Sequence, residues 1–285
     1  MHSQYSKFKK VLKKTNFCDE ESVLKEQVEL LESGVGIIEE QSLLLRSKID
    51  SIGKDSRKNF EIGEVLLFQS DSLEYFYNLM NFLINKIKTD DKKNLRFYFP
   101  NVRTLIDIYA KILYLYNKNE EDQSRIVACQ YLKTSKEIDN IKLFYEILKR
   151  CKNLFEDCGY EVSSFGNFPK KNMKKELVDN FCFPGVKQII KNADFKNILP
   201  GLNEDKMKFS LIKMHSACCE YAHGSSILKN FFGNEDLWII ISMRSLIAGI
   251  IKLFDGCDEK INEWNKDLIA KNLNFLQIYD KRKLF

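Results

Sequence analysis

The reactive side chains of this chain gather between residues 206 and 226, in KMKFSLIKMHSACCEYAHGSS. His215, His223 and the adjacent pair Cys218 and Cys219 all fall there. Met207, Leu211, Met214, Cys218 and Tyr221 recur at steps of four and three, which predicts one helix with these residues on its buried face. Ser216, Glu220 and His223 share a different face, and Gly224 suits the left-handed turn at which helices end. His223 therefore falls in the last turn, where free carbonyls and Glu220 favour imidazolium. A histidine that holds its proton there can serve as a general acid or bind phosphate, and it can equally cap the helix.

A second constellation lies in VRTLIDIYAKI, where Arg103 and Asp107 stand four residues apart and so share a helix face. Their apolar neighbours predict that the pair is at least partly buried. A charged pair taken out of water is held either for structural specificity or for chemistry. Arg103, Asp107 and His223 are expected to meet in one polar pocket, because each is expensive to hide alone. His215, Cys219 and His223 at four-residue steps offer a competing set of metal ligands, with Cys218 nearby. Each step of four drifts by about 40° around the helix, so three ligands over two turns do not converge on one ion. No metal and no cofactor is expected.

Helices must position these groups. The 285 residues carry only 12 glycines and 4 prolines, which makes long helices the economical architecture, and no apolar pattern alternates over a strand's length. An all-α helical bundle is the expected fold, with residues 1–57 forming a basic segment and helical arm and residues 58–285 forming the bundle domain. The opening MHSQYSKFKKVLKK holds five lysines and no acid, so the net charge of +5 is concentrated there. It could touch nucleic acid or an anionic surface, though an exposed charge run is commonly just solvated.

Along the chain, Glu20 to Lys54 reads as one long helix or a helical pair loosened near Gly34 and Gly36. Leu66, Leu73, Phe76, Met80, Leu83 and Ile87 mark the next helix. Val102, Leu105, Tyr109, Ile112 and Tyr116 mark its antiparallel partner, with Pro100 in the first turn or at a kink. A less regular helical region spans Asp122 to Asp157, with Ile138, Ile141, Phe144, Tyr145 and Leu148 as its best stripe. A loop follows from Cys158 to Asn172. Leu237 to Phe254 is the most hydrophobic run, but Arg244 near its middle and Lys252 near its end argue for a core helix and against a membrane span. A last helix is expected over Glu259 to Tyr279. No secretory signal opens the sequence, and the eight cysteines show no CxxC pair, so a cytoplasmic protein with reduced, mostly buried thiols is expected. Walker, GxGxxG, HExxH and GxSxG motifs are absent, which removes the common routes to nucleotide hydrolysis, dinucleotide binding, zinc proteolysis and serine hydrolysis.

From about Phe97 to Lys229 the chain resembles an uncharacterised family of bacterial all-α proteins that is itself similar to the HEPN superfamily. The resemblance is carried by Arg103 and Asp107 and, about a hundred residues later, by Tyr221, His223, Gly224, Ser225 and Ser226 in CCEYAHGSS. Asp107 stands where Glu is more usual. The resemblance implies a HEPN-like bundle. That superfamily includes metal-independent ribonucleases and also many members without activity, and a ribonuclease or toxin effector of bacterial anti-phage defence, acting on RNA as a homo-oligomer, is the expectation it raises. A composite site inferred from the residues themselves, not carried over from the family, would use His223 as acid or base, Arg103 as the cation and Asp107 as its orienter, with Tyr221, Ser225 and Ser226 binding substrate. Active HEPN enzymes carry an Arg and a His four to six residues apart on one helix, and no Arg precedes His215 or His223 in that way. The alternative is a non-catalytic helical interaction or regulatory module, assembling with itself or with a protein partner through the N-terminal arm.

Overall fold

The computed structural model describes residues 20–52, 62–89, 98–137, 140–157, 181–193, 204–222 and 235–253. Every element among them is a helix or a short turn: α1 (Glu20–Ser51), α2 (Ile62–Thr89), α3 (Phe99–Tyr116), α4 (Glu120–Glu137), α5 (Ile141–Arg150), α6 (Lys152–Glu156), α7 (Val186–Asn192), α8 (Glu204–Ala222) and α9 (Glu235–Leu253). The protein is all-α. The lysine-rich opening, the loop at 158–172, and the last expected helix at 259–279 lie outside the described residues. No described helix is long and apolar enough to cross a membrane.

α1 runs unbroken through Gly34 and Gly36. Its apolar residues Val28, Leu31, Val35 and Ile38 are buried. It packs chiefly along α2 and also touches α9. Ser42 and Ser70 mark the antiparallel crossing of α1 and α2, where each hydroxyl donates to the other residue's backbone carbonyl, at 3.1 and 3.2 Å. Small side chains allow that approach, and the paired hydroxyls leave no buried donor unsatisfied. At one end of the hairpin Lys88 pairs with Glu32, and at the other Arg46 meets Asp71 at 3.1 Å. Between α1 and α9 the buried Arg244 donates to Gln27 Oε1 at 2.9 Å. The helix expected to form an arm thus shares one core with α2, α3, α8 and α9.

α2 and α3 are also antiparallel. Phe82 late in α2 meets Tyr98 just before α3, with ring centroids 5.8 Å apart, while Phe68 and Tyr114 at the other end both pack on Phe183. Pro100 sits in the first turn of α3, where its missing N–H has no helical acceptor to lose, so it starts the helix and does not kink it. At the other end Asn117 closes the helix by donating from Nδ2 to the Leu113 carbonyl at 3.1 Å. Val102, Leu105, Tyr109 and Ile112 are buried as the pattern predicted, but Tyr116, in the final turn, is 48% exposed.

The irregular region from 122 to 157 resolves into α4, α5 and α6. Asn119 begins α4 by accepting from the Asp122 N–H at 2.8 Å, and Asn140 begins α5 by accepting from the Leu143 N–H at 3.0 Å. Both are helix N-caps, and the second explains why one helix does not run through. The buried face of α5 carries Ile147 and Leu148, whereas Tyr145, expected in the stripe, is exposed. These helices form a second apolar cluster with Val65, Leu115, Cys129, Cys151 and Phe155.

α9 carries Ile240, Met243, Ile247 and Ile250 into the first cluster, all essentially inaccessible. Its close approach to α3 depends on Gly249. A Cβ there would stand 2.6 Å from the Tyr109 hydroxyl and 2.7 Å from the ring. Tyr109 is fully buried, so the ring has nowhere to move. Gly249→Ala should therefore destabilise the protein by about 1–3 kcal/mol in denaturant melts, despite alanine's better helix propensity. An unchanged or raised midpoint would show that the two helices do not meet there.

Candidate polar site

α8 lies antiparallel on α3, with its own apolar residues Leu211, Met214 and Cys218 buried against the core. This register sets the order of contacts. Cys218 lies against the backbone of Arg103, and one turn earlier on α8 His215 reaches Asp107. The His215 Nε2 to Asp107 Oδ1 distance is 3.0 Å. The other carboxylate oxygen of Asp107 lies 3.9 Å from Arg103 Nε.

An ionised carboxylate only accepts, so its contact with Nε2 places a ring proton on Nε2; in the neutral imidazole the lone pair is then on Nδ1. Nδ1 in turn faces Cys219 Sγ at 3.7 Å. The result is a continuous chain from Arg103 through Asp107 and His215 to Cys219, drawn from two helices. It grades from covered to open: the side chain of His215 is 11% exposed, that of Asp107 31% and that of Arg103 38%. The expectation that Arg103 and Asp107 are partly buried describes this edge well. Their 3.9 Å separation makes the pair a loose one.

The histidine brought to Asp107 is His215, which the sequence pattern offers only as a metal ligand. His223, Ser225 and Ser226 lie outside the described residues, as does the side chain of Tyr221, whose backbone lies in the last turn of α8. His215 is one residue past Met214 and four past Leu211, both buried, so it occupies the flank of the apolar face and not its opposite side. A histidine at that flank must find a polar partner on the neighbouring helix. Asp107 occupies the matching flank of α3, beside the buried Ile106 and Ala110. That reciprocal placement is the signal that could have paired them.

The two cysteines of the site differ sharply. Cys218 is buried and its thiol is pushed up to about 12 by desolvation, which keeps it an inert packing group. Cys151 is likewise pushed up to about 12 by burial, and Cys129 is raised by burial too. Cys219 is partly exposed. Asp107 and Cys219 sit on opposite ring nitrogens of His215, whose lone-pair directions diverge, so the three cannot share an ion. Among the described residues no group of three His, Cys, Asp or Glu side chains converges to hold a metal.

The sequence has no significant match to any protein-family model, curated protein or solved structure.

Proposed function

We propose that the protein is a HEPN-like, metal-independent endoribonuclease of bacterial anti-phage defence, with Arg103, Asp107 and His215 as its centre. The observation that supports this reading best is the contact of His215 with a carboxylate that also faces an arginine. These are the groups that transesterification of RNA needs. A base takes the proton from a ribose 2′-hydroxyl, an acid protonates the leaving 5′-oxygen, and a cation stabilises charge on the phosphoryl oxygens. Arg103, the most exposed of the three, receives the phosphate. Asp107 orients the imidazole and stabilises its protonated form, and His215 carries one proton transfer at Nδ1. The other transfer comes from a second copy of the chain, because active HEPN enzymes build their cleft from two such sites.

This reading moves the role that the sequence suggests for His223 onto His215, and it puts Arg and His on different helices. The test is direct. Purified protein should cut RNA in the presence of a metal chelator and leave 2′,3′-cyclic phosphate ends. Cutting should weaken with added salt as the phosphate contact is screened. Cleavage that stops on chelation, or linear phosphate ends only, would rule the mechanism out.

One observation favours a second reading, in which the protein is a non-catalytic helical interaction module. His215 is well covered, and a covered histidine bridged to an aspartate also serves as a fixed join between two helices. No cleavage of any RNA by the monomer or by any oligomer would establish that reading.

A further inference from the structure

The chain of contacts does not stop at His215. Cys219 is one residue beyond the inert Cys218, which turns it about 100° around α8, out of the core and onto Nδ1 of the imidazole. Nδ1 is the nitrogen that Asp107 leaves with a free lone pair. A thiol, an imidazole and a carboxylate in this order form a relay in which the sulfur can hand its proton to the ring while the carboxylate stabilises the resulting imidazolium. Of the three buried or half-buried thiols on α4 and α8, Cys129, Cys218 and Cys219, only Cys219 combines partial exposure with a histidine acceptor.

We propose that Cys219 is a reactive thiol that exchanges with low-molecular-weight disulfides, and that the resulting mixed disulfide closes the site. In the exchange, Cys219 passes its proton to His215 Nδ1 and the thiolate attacks one sulfur of the disulfide. A new S–S bond forms as the old one breaks. The departing thiolate takes the proton back from the imidazolium, so the protein cysteine is oxidised and a free thiol is released. The added group then lies beside the one nitrogen of His215 able to act on substrate. That last consequence rests on the RNA-cleaving reading, whereas the reactivity of the thiol does not.

The full chain, folded and reduced, is exposed to oxidised glutathione and the adduct at each cysteine is followed by mass spectrometry. Cys219 should gain glutathione about tenfold faster than Cys182, the other partly exposed thiol among the described residues, and His215→Gln should remove that advantage. A Cys219 rate no higher than that of Cys182 in the parent protein would overturn the proposal, even if the variant fails to fold. Where the parent cuts RNA, glutathione should suppress cutting and a reductant restore it, while the cutting by Cys219→Ser should no longer respond. Fast reaction at Cys219 without RNA cleavage would sink the ribonuclease reading and leave the thiol site standing. Cleavage with a sluggish Cys219 would do the reverse.

Discussion

Ile247→Asp should leave the protein without a cooperative folding transition. Ile247 is wholly buried in α9, where that helix packs between α3 and α1, so an aspartate there would meet the apolar groups of the main cluster. Hiding an unpaired carboxylate in such surroundings costs at least about 4 kcal/mol, on top of the lost packing. A domain with about 5–15 kcal/mol of total stability loses most or all of it. Circular dichroism melts check this, with Ile247→Val as the control, which should cost only about 0.5–1.5 kcal/mol. A parent-like melt for the aspartate variant would mean that α9 is not a core helix.

On the proposed ribonuclease reading, His215→Ala should lower RNA cleavage by about 10²–10⁴-fold, the range expected for loss of a positioned proton-transfer group. The same change leaves Asp107 with only the loose contact to Arg103, so Asp107→Ala should also lose activity, by a smaller factor, because a bare imidazole remains. Both variants should keep helical content, since the polar chain lies at the edge of the core and not within it. Cleavage at the parent rate in His215→Ala, measured on folded protein, would reduce the Asp107–His215 contact to a structural bridge.

The helices were legible in the sequence wherever one face carried large apolar residues at helical steps. α2, α3 and α9 follow that pattern closely, because burial against neighbours dictates residue type at each step. Two kinds of feature were not legible. The first is where a polar residue interrupts a helical run for local reasons: Asn140 caps α5 through its own side chain, and nothing in the apolar pattern on either side marks the break. The second is the register between helices distant in sequence. Arg103 and Asp107 could be paired from their spacing alone, but the contact of His215 with Asp107 depends on how α8 lies along α3. Gly249 shows the same limit. Its lack of a side chain matters only because Tyr109 lies opposite, a fact no local pattern contains.

The site joins residues 107 and 215, a separation of 108 positions along the chain. A ribosome makes proteins from one end, and early segments can collapse while later ones are still unsynthesised. α1, α2 and α3 can pack on one another as soon as they emerge, but Asp107 has no histidine to meet until α8 has followed. Until α8 has been synthesised, the pair of Asp107 and His215 is therefore incomplete. On the proposed ribonuclease reading, a centre divided in this way cannot act on its own template until most of the protein has been made.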